Sequence, residues 1–346
     1  NRHAIGRGGR GGMIISCTPF RVSLFGGGSD YPQWYLKNGG AALGFAINKY
    51  CYISLRKLPP FFSHTHRIVY STIELVNDIS EIQHPSVRAV LSEKHPNCGI
   101  EIHHDGDLPA RSGLGSSSSF TVGLLHVLKA HSGSMASKSY LATEAIRIEQ
   151  EVIGENVGSQ DQVWAAHGGM NRIDFNMDGT HLVRPLIISY ERRNEMMRRF
   201  MLFFTGITRN AHEVAGKKIA NLDNRSQDIR AIMAMVDEAQ DILSDDSRPL
   251  SDLGNLLHES WMIKRGLADT VTNSVVDGIY DAARAAGALG GKLLGAGGGG
   301  FILFFVEPET QPGVREALKT LVEVDIEVDY VGSKIVIYEP NGLHRR

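Results

Sequence analysis

The chain has 346 residues, 42% of them hydrophobic and 21% charged, which is a globular composition with room for two domains. Its 36 lysines and arginines against 38 aspartates and glutamates give a formal net charge of −2, which excludes the broad basic field of a nucleic-acid-binding protein. The three cysteines contain no C-x-x-C pair and argue against a disulfide framework or a zinc site. No apolar run approaches the roughly 18 to 20 residues that cross a bilayer, so we expect a cytoplasmic protein that binds no membrane.

The first half of the chain is predicted to be rich in strands. Residues 1–12 are rich in glycine and arginine, and we expect a disordered or tag-like leader because such a composition cannot build a core. The β-like runs and helical patterns that follow, in chain order, are strands at 13–17, 41–56 and 67–70, a helix at 81–94, a strand at 99–104, helices at 117–130 and 138–153, and a strand near 171–175.

The second half is predicted to be rich in helices. A charged stretch at 191–199 precedes the apolar run 200–204, and we place a domain boundary there, which gives domains at 13–195 and 196–346. The predicted elements beyond it are helices at about 209–221, 225–243, 251–268 and 273–286, and strands at 300–306 and 326–338 around a short helix. Helices grouped with antiparallel-looking strands indicate an α+β fold.

The strongest functional signal is a glycine- and serine-rich loop that leads into the helix at 117–130. Gly113 and Gly115 allow positive φ and a close approach to a ligand, and the amides of residues 116–119 would be the free donors of the first helical turn. Together with the helix dipole they form an anion site suited to a di- or triphosphate. No G-K-[ST] ends the loop, so it is not a Walker A loop. The alternative is a serine-capped helix after a flexible loop.

Two further segments carry clustered glycines. A predicted strand ends at Gly26, Gly27 and Gly28, and Asp30 and Tyr31 follow directly. Their carboxylate and aromatic ring suit a polyhydroxylated ligand. The alternative is that the glycines form only a β-bulge and turn. The segment 290–305 carries four consecutive glycines at 297–300 before an apolar strand. Such glycines are typical of a place where a ligand or another backbone comes very close, so ligand contact and packing against the first domain both stay open.

In order and content, these segments resemble the three motifs of the GHMP kinases, named for galactokinase, homoserine kinase, mevalonate kinase and phosphomevalonate kinase. The motifs are Pro-Phe-Arg-Val-Ser-Leu-Phe-Gly-Gly-Gly-Ser-Asp at 19–30, Pro-Ala-Arg-Ser-Gly-Leu-Gly-Ser-Ser-Ser at 109–118 and Lys-Leu-Leu-Gly-Ala-Gly-Gly-Gly-Gly at 292–300. The resemblance implies a two-domain fold, with an N-terminal βαβ-type ATP-binding domain and a C-terminal ferredoxin-like α/β sandwich with extra helices. It also implies ATP as co-substrate and Mg²⁺ as cofactor.

The resemblance assigns roles to individual residues. Asp161 would be the catalytic base and Arg21 would keep it ionised and offset charge in the transition state, while Ser117 and Glu149 would hold magnesium. The implied ATP-binding residues are Pro109, Arg111, Ser112, Gly113, Leu114, Gly115, Ser116, Ser117, Ser118 and Ser119. The implied substrate-binding residues are Gly27, Gly28, Ser29, Asp30, Tyr31, Asp161, Arg209, Gly298 and Gly299.

Within the family, the first and third motifs are most similar to those of D-glycero-D-manno-heptose 7-phosphate kinases. This implies phosphorylation of the anomeric hydroxyl of the heptose 7-phosphate, in nucleotide-heptose synthesis for capsule or surface polysaccharide. Arg209 and Lys264 are candidate ligands of the distal phosphate. The alternatives are a fucokinase, a galactokinase-like or mevalonate-type kinase, and a non-catalytic sensor of sugar or nucleotide. We expect a monomer or homodimer whose partners are small molecules.

Overall fold

The computed structural model describes residues 12–94, 96–207 and 211–340, without the side chains of 211–213, and it contains two β-sheets. Arg209 therefore lies outside the described residues. The elements of the first half are β1 (Met13–Phe25), α1 (Pro32–Asn38), β2 (Gly40–Lys57), β3 (His66–Val69), β4 (Ile73–Val76), α2 (Pro85–Lys94), β5 (Ile100–Gly106), α3 (Ser116–His131), α4 (Lys138–Arg147), α5 (Gln160–His167), β6 (Met170–Phe175) and β7 (His181–Pro185).

The elements of the second half continue the numbering. They are α6 (Tyr190–Arg199), β8 (Phe200–Phe204), α7 (Ala211–Asn221), α8 (Ser226–Ser244), α9 (Ser251–Arg265), α10 (Ser274–Ala285), β9 (Gly290–Leu293), β10 (Phe301–Phe305), α11 (Gln311–Ala317), β11 (Val322–Val324) and β12 (Lys334–Glu339). Within the described ranges, no helix combines the length and the apolar character required to span a bilayer.

The first sheet is built around the long strands β1 and β2. Its order is β12-β1-β2-β5-β3-β4, with β6 beside β2 and β7 beside β6. The residues of β1 from Cys17 onward are all buried, including the polar residues Thr18, Arg21 and Ser23. Its described pairs are antiparallel except β3 with β5, whose connection contains α2. The predicted α+β class and the βαβ unit in this half are confirmed.

The second sheet has the ferredoxin-like arrangement. Its order is β11-β8-β10-β9 with antiparallel pairs, so the four strands taken in chain order lie as 4-1-3-2. Helices α7 to α10 lie between β8 and β9, and α11 connects β10 to β11. Buried aromatic residues such as Trp261, Tyr280 and Phe304 fill the core beneath this sheet. The predicted C-terminal sandwich with extra helices is confirmed.

The strand β12 returns to the first sheet, where it pairs antiparallel with β1 from Met13 opposite Glu339 to Cys17 opposite Lys334. The last strand, which falls in the predicted domain 196–346, therefore belongs to the first sheet. The division into domains at 13–195 and 196–346 stays a prediction. The predicted strand 326–338 is divided in the structure. Asp329 accepts hydrogen bonds from the amides of Val331 and Gly332 and holds a turn just before β12.

The predicted helix 138–153 also changes character along its length. It is α-helical as α4 up to Arg147, and Ile148–Ile153 then form a π-helical turn that ends at Gly154 with a positive φ of 76°. Turns of this kind are frequent at functional sites. Here the turn contains Glu149, which is fully buried.

Candidate active site

The glycine- and serine-rich loop ends where α3 begins. Gly115 has φ 76° and ψ 24°, and α3 then starts at Ser116, with the amide of Ser119 donating to the Gly115 carbonyl. The first amides of any α-helix have no carbonyl partner within that helix, so the start of α3 offers donors to a ligand. Gly115 and the next three serines line a cleft that also contains Asp30 and Asp161.

The third glycine segment packs directly against this loop. A Cβ at Gly113 would lie 2.4 Å from the Leu294 carbonyl oxygen, and a Cβ at Gly300 would lie 2.2 Å from the Ser112 carbonyl oxygen. Both glycines have positive φ, of 85° and 104°. These contacts between backbones explain why glycine occupies both positions, and they favour the packing role for most of the third segment.

We expect Gly113→Ala to destabilise the fold more than Gly133→Ala. Gly133 has a similar φ of 73° but no described atom within 4 Å of its Cβ position, so its variant reports the backbone cost alone, about 1–2 kcal/mol. The contact with Leu294 should add about 1–3 kcal/mol at Gly113. Chemical denaturation of the two variants measures both free energies of unfolding. Equal values would mean that Leu294 does not constrain the loop.

Arg21 and Asp161 form an ion pair directly beneath the loop. Arg21 Nε donates to Asp161 Oδ1 at 2.7 Å and Arg21 Nη2 donates to Oδ2 at 2.8 Å, while Nη1 donates to the Gly113 carbonyl at 2.7 Å. A Cβ at Gly115 would lie 3.4 Å from Asp161 Oδ2, so the helix start and the carboxylate are close together. The Asp161 side chain is 25% exposed and lines the cleft, and a ligand can reach it.

The loop after β1 brings Asp30 to the wall of the same cleft. Asp30 Oδ1 accepts a hydrogen bond from the Gly28 amide at 2.9 Å, and a Cβ at Gly158 would lie 1.9 Å from Oδ2. Burial raises the pKa of the Asp30 carboxyl. Gly27, Gly28, Asp30 and Tyr31 line the cleft, whereas Ser29 faces away, and its hydroxyl donates to the Gly26 carbonyl.

Glu149 lies behind the start of α3, and Ser118 is its hydrogen-bond partner there. Its Oε2 accepts from Ser118 Oγ at 2.9 Å and from Gln162 Nε2 at 2.6 Å. Its Oε1 is buried without a hydrogen bond in the described part of the chain, since the nearby Thr121 hydroxyl donates to the Ser117 carbonyl. Burial raises the pKa of this carboxyl to about 7. Ser117 is exposed and lines the cleft, so the two predicted metal ligands approach the same helix start from different sides.

Among the described residues, three buried lysines line the cleft, and the sequence singled out only Lys264. Its ammonium group donates to the carbonyls of Leu293 and Gly295. Lys292, in the third motif, donates to the Leu24 carbonyl, and burial lowers its pKa to about 7. Lys218 reaches the cleft from α7. Lys292 could have been proposed from its place in the motif, whereas nothing in the sequence distinguishes Lys218 from the exposed Lys217 beside it.

The remaining predicted residues are placed as follows. Arg111 lines the cleft beside the loop, but Pro109, Ser112, Leu114 and Ser119 are not among the residues that line it. Gly298 and Gly299 do not line it either: the Gly298 amide donates to the Val271 carbonyl, and a Cβ at Gly299 would lie 2.7 Å from Ile207. In this third segment it is Gly295 and Ala296 that line the cleft. The roles assigned to all these residues stay predictions.

Comparison with known sequences and structures gives consistent matches. The profile of the GHMP kinases N terminal domain matches residues 82–169, and that of the GHMP kinases C terminal domain matches residues 239–323. The chain is 31% identical over 318 residues to a D-glycero-alpha-D-manno-heptose 7-phosphate kinase of Campylobacter jejuni subsp. jejuni serotype O:2, covering 88% of this chain and 93% of that protein.

More distant similarities extend to other sugar kinases. The chain is 24% identical over 339 residues to a bifunctional fucokinase/GDP-fucose pyrophosphorylase of Arabidopsis thaliana, which covers 90% of this chain and 31% of that protein. The crystal structure of a D-glycero-D-manno-heptose 1-phosphate kinase from Bacteriodes thetaiotaomicron matches the fold with a TM-score of 0.75 at 23% identity, covering 92% of this chain and 97% of that one.

Proposed function

This chain belongs to the GHMP kinases, and from that premise we propose that it transfers the γ-phosphoryl group of ATP to the anomeric hydroxyl of D-glycero-D-manno-heptose 7-phosphate. The product is the 1,7-bisphosphate, which would supply nucleotide-heptose synthesis for capsule or surface polysaccharide. The observation that carries the proposal is the Arg21–Asp161 pair, held beneath Gly115 between the phosphate-binding helix start and the loop of Asp30. The Campylobacter relative supports the choice of sugar.

In this reaction, the acceptor oxygen forms a bond to the γ-phosphorus while the bond from that phosphorus to the bridging oxygen breaks and ADP leaves. Asp161 takes the proton of the anomeric hydroxyl as the new bond forms. Arg21 fixes the orientation of the carboxylate through two hydrogen bonds and brings positive charge to the developing transition state. The amides at the start of α3 hold the terminal phosphates. Catalysis then consists mainly of positioning and electrostatic stabilisation.

The residues behind the helix start fit a magnesium ion. Glu149 is a fully buried carboxyl with one oxygen that lacks a hydrogen-bond partner among the described residues, and oxygen is the ligand type that magnesium prefers. Glu149 and the Ser117 hydroxyl would hold the ion together with phosphate oxygens and water. Magnesium supplies charge neutralisation on the transferring phosphates. Few protein ligands are expected, since this ion usually keeps several waters.

Glu149 should make stability depend on pH. Because burial raises its pKa from 4.5 to about 7, its stabilising contribution is complete below 4.5 and is lost as the pH rises through 7. We expect Glu149→Gln to exceed wild type in free energy of unfolding by on the order of 3 kcal/mol at pH 8, and the difference to vanish near pH 4. Chemical denaturation across this range measures it. Mg·ATP should stabilise wild type more than the variant, and identical pH profiles would contradict the assignment.

The proposed function is tested with a panel of acceptors and measurement of ADP release. The panel contains D-glycero-D-manno-heptose, its 7-phosphate and its 1-phosphate, fucose, galactose and mevalonate. The two heptose phosphates are both needed because the names of the two heptose kinases that resemble this chain place the substrate phosphate differently. We expect the highest kcat/KM with the 7-phosphate. A higher value with fucose, galactose or mevalonate would replace the proposed acceptor, and no turnover with any member would favour a sensor.

A further inference from the structure

The cleft carries more positive than negative charge, although the whole chain has a formal net charge of −2. The cationic side chains that line it are Arg21, Arg111, Lys218, Lys264 and Lys292, and the carboxylates that line it are Asp30 and Asp161. Among the described residues, five basic side chains therefore share the cleft with two carboxylates. Burial lowers the pKa of all three lysines, and a bound anion would favour their charged forms. The cleft is therefore suited to more than one anionic group.

Most of these buried cations are already engaged by the protein. Arg21 donates to Asp161 and to the Gly113 carbonyl, so its guanidinium group already has acceptors within the protein. Lys264 donates to two backbone carbonyls, and Lys292 donates to one. Their ammonium groups hold the third glycine segment and the end of β1 in place. A ligand would have to compete with these backbone contacts or add to them.

Lys218 differs from the other two lysines. Its side chain is 5% exposed, its ammonium group makes no hydrogen bond within the described ranges, and it lines the cleft. An ammonium group that no backbone carbonyl of the described residues holds keeps its donors for other acceptors, and Lys218 lies at the wall of the cleft. Such a group at the wall of a binding cleft is expected to meet its acceptors on the ligand.

The surroundings of Lys218 place it beside the loop that is assigned to the acceptor sugar. Its Nζ lies 5.5 Å from the centroid of the Tyr31 ring, in the loop that also carries Asp30. Among the charged groups that act on it, Asp30 has the largest effect, ahead of Asp161 and Arg21. The nucleotide phosphates are assigned to the start of α3, whereas the ring contact of Lys218 is with Tyr31, in the loop assigned to the sugar.

We propose that Lys218 binds the phosphate group that the acceptor sugar already carries, and that it selects a sugar phosphate over the free sugar. This inference rests on the proposed function, since it concerns the acceptor of the same reaction. It assigns to Lys218 on α7 the binding of the distal phosphate, for which the sequence suggested Arg209 and Lys264. Lys218 acts by binding and takes no part in proton transfer.

The test compares Lys218→Met with wild type on D-glycero-D-manno-heptose 7-phosphate and on unphosphorylated D-glycero-D-manno-heptose. We expect the ratio of the two kcat/KM values to fall by about tenfold to a hundredfold, mainly through KM for the phosphorylated sugar, because a hydrogen bond to a charged group has this effect. Lys218→Arg should recover part of the ratio. Lys217→Met, which changes the exposed neighbour, is the matched control and should leave the ratio as in wild type.

An unchanged ratio would overturn the proposal. If both kcat/KM values also fell in parallel, the result would indicate a role of Lys218 toward the transferred phosphoryl group. Calorimetric titration of heptose 7-phosphate without ATP separates this proposal from the proposed function. Wild type that binds the sugar phosphate but does not phosphorylate it would refute the function, and weaker binding by Lys218→Met would still support the role of Lys218. Wild type that binds no sugar phosphate would refute both.

Discussion

Asp161→Asn is expected to lower kcat by at least about a hundredfold while the enzyme still binds ATP, since removal of a positioned general base typically costs a hundredfold to ten-thousandfold. The amide has nearly the shape of the carboxylate but cannot accept the proton of the attacking hydroxyl. It also replaces one of the two acceptors of the Arg21 guanidinium by a donor, so one of the hydrogen bonds at 2.7 Å and 2.8 Å is lost. The proposed nucleotide site at the start of α3 should be left intact.

The measurement is steady-state ADP release with the preferred sugar, together with calorimetric titration of ATP. Asp178→Asn is the control, because Asp178 lies in the turn between β6 and β7, where its carboxylate accepts hydrogen bonds from Thr180. That variant should have wild-type kcat. Near-normal turnover of Asp161→Asn would show that another group takes the proton, and loss of ATP binding would show that the substitution disturbs the helix start.

Arg21→Lys should reduce kcat/KM by roughly a hundredfold to a thousandfold, the range found when one donor to a transition-state charge is removed. Lysine keeps the charge but cannot make the planar, bidentate contact with the carboxylate. It also cannot span Asp161 and the Gly113 carbonyl as the guanidinium does. We therefore expect both a misoriented Asp161 and a less ordered glycine loop, although the net charge is unchanged.

The kinetic effect is measured with ADP release under conditions that determine kcat and KM separately. Arg56→Lys is the matched control: Arg56 pairs with the buried Glu101 on β5, and it does not line the cleft. If both lysine variants lose the same small amount of activity, the arginine at position 21 has a structural role only. Partial recovery of Arg21→Lys by guanidinium in solution would strengthen the assignment.

The sequence indicated the two loops of the cleft that are local in the chain, although not which of their residues line it. The glycine loop before α3 and the loop that carries Asp30 are each contained in a dozen residues, and their residue types alone restrict the backbone. Pairing Arg21 with Asp161 required the family resemblance, since 140 positions separate them. The sequence did not show which helical residues point toward the site, because this depends on how each helix is rotated. Ser118 donates a hydrogen bond to Glu149, and Lys218 rather than Lys217 lines the cleft.

The fold shows the same contrast. Hydrophobic periodicity located most helices and strands, and the grouping of these elements gave the α+β class. Periodicity does not say which strand pairs with which, so the return of β12 to β1 could not be predicted. A carboxylate that caps a turn leaves no periodic signal, and for this reason the division of the predicted strand 326–338 at Asp329 was also missed.

The pairing of β12 with β1 has a consequence for the order in which the protein matures. During translation, β1 is made before the ferredoxin-like unit and β12 only after all of it. Until residues 334–339 leave the ribosome, one edge of β1 has unpaired backbone groups, which are prone to pair with another chain. The first sheet is therefore completed only after the second, although its strand β1 precedes the second sheet in the chain.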